Sequence, residues 1–181
     1  MAIEQPPRPG AAASSRAPAI GGAIRLAAIG ALVLSLATSG IKPDEGKANR
    51  TYLDIAKVPT YCYGHADRSA KVGTMRTDAQ CDALLATDVR REQLGVAACV
   101  PGLRVRPYQW AASTRLAHNI GISGFCHSGA AIHFNRGDWR GGCDLFLPWD
   151  KARIGGQVVA VAGLAARRQR ERAQCLTGLP A

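Results

Sequence analysis

One apolar run constrains this chain more than any other feature. From Ala19 to Ile41 a single charge, Arg25, interrupts it, and Leu26–Ile41 carries none before Lys42, Pro43 and Asp44 end it. Those sixteen residues, as helix, span roughly 24 Å against a hydrocarbon core of about 30 Å. Residues 19–24 supply the missing turns while Arg25 snorkels. Nine of the sixteen are Ala, Gly, Ser or Thr, which gain little from lipid. Three readings compete: a signal peptide cut after Ser35-Leu36-Ala37, a permanent anchor, and a signal-anchor that inserts and later slips out. The third fits this weakly apolar composition best. Residues 1–18, rich in Pro, Ala, Ser and Gly with Arg8 and Arg16, read as a disordered basic tail. Positive charge ahead of the segment predicts an N-in orientation in the inner membrane, with the remainder released to the periplasm.

The 181 residues leave room for one domain beyond that segment. A net charge of +10 points to an anionic partner. Bacterial envelope polymers meet that requirement as well as nucleic acid does, and the chain carries no RRM, zinc-finger or helix-turn-helix signature. The densest basic run, Arg167-Arg168-Gln169-Arg170-Glu171-Arg172, is broken by Glu in a helical pattern and reads as a solvated helix face. Six cysteines (Cys62, Cys81, Cys99, Cys126, Cys143, Cys175) are even in number, widely spaced and without C-x-x-C, which fits disulfides in an exported domain. The histidines show no metal-ligand spacing, and nothing in the sequence calls for a metal or cofactor.

Immediately after the apolar run, Glu45, Asp54 and Thr60 form E-x8-D-x5-T. The Tyr, Thr, Val and Ile between them suit short antiparallel strands, so a hairpin can return Asp54 and Thr60 towards Glu45 at a cleft wall. Two carboxylates facing one bond suit glycoside hydrolysis. One, protonated, serves the leaving oxygen; the other, ionised, handles water or the developing cation. Beyond this block the pattern turns helical. Ala66–Arg76 reads as a polar loop, and Thr77 with Gln80 as a capping box opening a helix through Leu94. Ala98–Val105 reads as a loop, and Pro107–Ile120 as a helix stopped by Gly121. Ser123–Asn135, Trp139–Leu147 (capped by Asp138) and Gly163–Leu176 are further helices, with a turn at Ile154-Gly155-Gly156.

Tyr52-Leu53-Asp54 and Pro59-Thr60-Tyr61-Cys62-Tyr63-Gly64-His65, together with E-x8-D-x5-T, resemble the phage-type lysozymes (glycoside hydrolase family 24). The resemblance continues through Thr77–Val89, Ala117-His118-Asn119-Ile120-Gly121, Phe125–Ser128, Asn135–Trp139 and Gly163–Arg172, covering about residues 41–178. With the leader it is similar to the signal-arrest-release endolysins. The sequence departs from the family where His118 replaces the usual aromatic residue, at Ala66, and over Leu147–Gln157.

The resemblance implies an α+β, lysozyme-like fold in which a small β-hairpin region forms a cleft with a mainly helical domain at residues 42–181, behind a membrane segment at 19–41. It implies that Glu45 is the general acid, Asp54 the base or charge stabiliser, and Thr60 the holder of the attacking water, with inversion at the anomeric carbon. It places Gly64, His118 and Ser128 along the cleft and pairs His65 structurally with Asp88. The implied substrate is peptidoglycan, cut between N-acetylmuramic acid and N-acetylglucosamine by a monomer without nucleic acid. Order along the chain suggests the disulfides Cys62–Cys81, Cys99–Cys126 and Cys143–Cys175. Trp110, Trp139 and Trp149 read as core rather than sugar platforms. Cys62 with His65 could instead serve a cysteine peptidase, although strand residues three apart face opposite sides. The remaining alternatives are a non-catalytic, membrane-tethered cell-wall-binding module and a basic nucleic-acid-binding protein.

Overall fold

The structure, a computed structural model, describes residues 20–54 and 56–180, so the tail expected at residues 1–18 lies outside it. Helix α1 (Ile20–Glu45) leads into strands β1 (Ala48–Leu53), β2 (Pro59–Cys62) and β3 (His65–Ala66). Helix α2 (Asp78–Cys99), a 3-10 turn (Pro101–Val105) and helices α3 (Pro107–Cys126), α4 (Gly129–Asn135) and α5 (Trp139–Asp144) follow. A hairpin of β4 (Lys151–Ile154) and β5 (Gln157–Ala160) and the last helix, α6 (Ala162–Leu176), complete the fold. It is α+β, with β1-β2-β3 as a small antiparallel sheet on one side of a helical body.

The apolar run and Glu45 share one unbroken helix. Val33, Ala37 and Ile41 recur every fourth residue and are fully buried, a single helical stripe packed against α2 and α3. Ile24, Leu26 and Leu32 remain exposed. Contacts at two of its glycines help key the helix to the body. Gln93 Nε2 donates to the Gly30 carbonyl at 2.9 Å. At Gly40 the Arg115 guanidinium lies so close that a Cβ would fall 2.4 Å from its Cζ. Gly46, at φ 68°, adopts the left-handed conformation that stops the helix one residue after Glu45.

The capping box forms as expected. The Thr77 side chain accepts from Gln80 N, and Thr77 N donates to the Gln80 side chain. Several sequence expectations need correction. Pro101–Val105 is a 3-10 turn rather than a loop. Gly121 (φ 80°, ψ 155°) kinks α3 instead of ending it, and the chain stays helical to Cys126. The following helix then starts only at Gly129, where Ser128 caps it. The stretch after Trp149 pairs as β4–β5, in register Lys151↔Ala160 to Ile154↔Gln157, around the expected turn.

All six cysteines pair as Cys62–Cys81, Cys99–Cys126 and Cys143–Cys175, which removes the thiol that a Cys62 peptidase would need. They tie the sheet to α2, the end of α2 to the end of α3, and α5 to α6. Each bridge closes a loop of moderate length and contributes roughly 2–4 kcal/mol. Alkylated intact mass should therefore rise by six alkyl groups only after reduction. Alkylation without reductant would contradict the full set.

Candidate active site

Glu45 ends α1 with its side chain 23 % exposed. Oε1 is held at 2.5 Å by Arg167 Nη1 from α6. On the other side Gly64 (φ 81°) lets Oε2 approach, and a Cβ there would stand 3.4 Å from that oxygen. Glu45 and Gly64 line a polar cavity of about 450 Å³ with His65, Ala66, Asp88, Arg91, Glu92, His118 and Asn119. The sheet thus supplies one wall, α2 the floor, and α3 the other wall.

Asp54 and Thr60 gather around Val58 at the far end of the sheet, not in the lining of this cavity. Asp54 Oδ1 accepts from Ala56 N (2.8 Å) and Val58 N (2.9 Å), which fixes the carboxylate and leaves Oδ2 for another partner. Thr60 stands opposite Tyr52 in the β1–β2 register, and its hydroxyl donates to the Val58 carbonyl at 3.1 Å. Lys57 takes φ 58° to close the turn.

His65 Nδ1 meets Asp88 Oδ2 at 2.6 Å, the pairing expected from the sequence. His118 Nδ1 meets Glu92 Oε2 at 2.9 Å inside the cavity wall. Ser128 is otherwise engaged. It is buried, accepts from Ala131 N and donates to the Phe125 carbonyl at 2.6 Å, and is absent from the cavity lining. Trp110 is buried and donates to the Gln93 carbonyl at 2.8 Å. Trp139 stacks on Phe134 beneath the Arg106 guanidinium.

The reading of the α6 basic run as a solvated face is overturned. Arg167, Arg168 and Glu171 are buried; Arg167 turns inward to the two acids that α1 delivers, and Glu171 pairs with both arginines. The Asp44 side chain, 1 % exposed, takes Arg115 at 2.9 Å, Arg170 at 2.5 Å and Arg167 at 3.6 Å. Glu171 Oε1 takes Arg168 at 2.9 Å and Arg167 at 3.1 Å. Burial pushes the Glu171 carboxyl up, against the pull of Arg168, Arg167 and Arg115. Sequence reasoning missed Asp44, Arg115 and Arg167 as supports of Glu45. The available signal was an acid directly before Glu45, which a docked helix would have to neutralise. Glu92 was also missed, although it lies one turn beyond Asp88 on the same helix.

Comparison with known proteins bears on family and fold. A family model described as phage lysozyme matches residues 42–171. The chain is 34% identical over 145 residues to the SAR-endolysin of Pseudomonas phage phiKMV, covering 79% of this chain and 88% of that one. It is 33% identical over 166 residues to the SAR-endolysin of Enterobacteria phage P21, covering 87% and 90% respectively. Among solved structures, the muramidase domain of SpmX from Asticaccaulis excentricus superposes with a TM-score of 0.69 at 27% identity, over 80% of this chain and 95% of that one.

Proposed function

We propose that this chain, which belongs to the phage lysozyme family, hydrolyses peptidoglycan as an endolysin by cutting the β-1,4 bond between N-acetylmuramic acid and N-acetylglucosamine. The observation that carries this reading is the carboxylate of Glu45, clamped by Arg167 on one oxygen and presented beside Gly64 in the polar cavity on the other. Protonated on the cavity side, Glu45 gives its proton to the glycosidic oxygen as the bond breaks. Asp54, held by two backbone amides, takes a proton from water with Oδ2, and the Thr60 hydroxyl steadies that water. Water entering opposite the leaving group inverts the anomeric carbon. The enzyme acts as a monomer, without cofactor, metal or nucleic acid.

Residues 19–41 anchor the chain in the inner membrane, N-terminus inside, until it is released to the periplasm. By length and composition Ile24–Glu45 is able to cross a membrane, and the SAR-endolysin relatives support anchoring followed by release. Val33, Ala37 and Ile41 cannot face lipid and the body at once. While α1 is in the membrane, Glu45 is held at the headgroups and the cavity lacks its acid.

Ser35, exposed beside the groove between α1 and α2, and the exposed Ser39 allow this to be tested without altering the buried stripe of Val33, Ala37 and Ile41, unlike Gly40, which sits under Arg115. Ser35→Leu with Ser39→Leu should keep the protein in the membrane fraction and delay lysis, with activity unchanged once the protein is extracted. Lysis on the ordinary schedule by protein still bound to membrane would contradict control by anchoring.

A further inference from the structure

Two carboxylates one turn apart on α2 each hold an imidazole by its Nδ1. Asp88 holds His65 from β3, and Glu92 holds His118 from α3. Arg91 lies between them, 3.0 Å from Asp88 and 3.9 Å from Glu92. His118 and Glu92 are close to buried, at 12 % and 10 % side-chain exposure, yet both line the cavity that contains Glu45. A carboxylate only accepts, so the proton stays on Nδ1 of His118 whichever charge the ring carries. Its Nε2 then has two states, an N–H donor in the imidazolium and a bare acceptor in the neutral ring. The bond-breaking chemistry of Glu45, Asp54 and Thr60 makes no use of this pair.

We infer that His118 Nε2 is a charge-switched donor to the carbonyl oxygen of a substrate acetamido group, with Glu92 as its positioning residue. This rests on the glycan-cleaving reading and names which part of the glycan is recognised. Sugar hydroxyls both donate and accept, so they satisfy either state of the ring. An acetamido carbonyl only accepts and distinguishes the two. A donor that carries charge also makes the stronger bond.

The charges acting on the ring come from three helices: Glu92 of α2 in contact, Glu45 of α1, and Arg167 of α6. Asp88 and Arg91 of α2 and His65 of β3 share its cavity. Burial favours the neutral ring, but Glu92, aided by Glu45 against Arg167, outweighs burial and holds the imidazole above its ordinary 6.5. The donor state therefore persists to higher pH than in an ordinary imidazole and is lost as the pH rises through the raised titration.

Tetra-N-acetylchitotetraose has no ionisable group, so any pH dependence of its binding belongs to the protein. Calorimetric titration should give affinity about tenfold weaker in mild alkali than in mild acid, roughly the worth of one hydrogen bond to a charged donor. His118→Gln, whose amide donates at every pH, should flatten the profile, and Glu92→Gln should move the fall to lower pH. In the unsubstituted protein, the His118 ring nitrogen resonances should shift on binding in acid, a readout that no variant's folding affects. A wild-type profile without pH dependence, an unchanged fall in His118→Gln, or no binding in acid would overturn the inference. Whether the wild-type protein solubilises peptidoglycan decides the underlying reading separately.

Discussion

Replacing Glu45 by Gln should lower peptidoglycan hydrolysis about 10²–10⁴-fold, the usual worth of a general acid, with the far-ultraviolet circular dichroism unchanged. The amide keeps the shape of the side chain and can still accept from Arg167 through its oxygen, but it has no carboxyl proton for the glycosidic oxygen. Arg167 retains Asp44 and Glu171 as partners, so the loss should appear in turnover far more than in folding. A turbidity assay on suspended cell walls reads the effect. Clearing at near the wild-type rate would remove Glu45 from the mechanism.

Asp44→Asn should be the most destabilising single substitution at the α1 docking face. It strips the charge from a carboxylate contacted by three guanidiniums, two of them belonging to the buried Arg115 and Arg167. Removing one partner from a buried ionic cluster costs about 3–5 kcal/mol, because the remaining charges lose their compensation. For a chain of this size that is a fall in Tm of about 6–20 °C. Activity should fall as well, since the same helix end carries Glu45. A Tm within about 2 °C of wild type would mean that α1 docks by its apolar stripe alone.

Much of the architecture was legible because it is written in local signals. Thr77 with Gln80, Pro107 at a helix start, and the Tyr- and Thr-rich run before Gly64 each name their element without outside help. Cysteine order suggested the pairing that forms because each bridge joins two cysteines consecutive along the chain. What escaped depends on partners distant in sequence. Arg167, Arg168 and Glu171 have the i, i+3 and i, i+4 spacing of an exposed ion-pair ladder. Only the approach of Asp44 and Glu45, more than a hundred residues earlier, turns Arg167 inward. Gly121 looked like a stop because a glycine with positive φ usually is one, yet helical residues resume beyond it as a kink. The β4–β5 hairpin was hidden because its strands, largely exposed, show no alternation between an apolar and a polar face. At the site, Glu45 and the His65–Asp88 pair could be named from spacing and resemblance, whereas Glu92 became visible only once α2 and α3 lay side by side.

The ends that the enzyme leaves report which bond it cuts. Purified peptidoglycan, digested to completion and reduced with borohydride, should yield muramicitol as the new reduced terminus, with no new amino termini. Glucosaminitol in its place, or new peptide amino groups on an intact glycan, would contradict a muramidase built around Glu45.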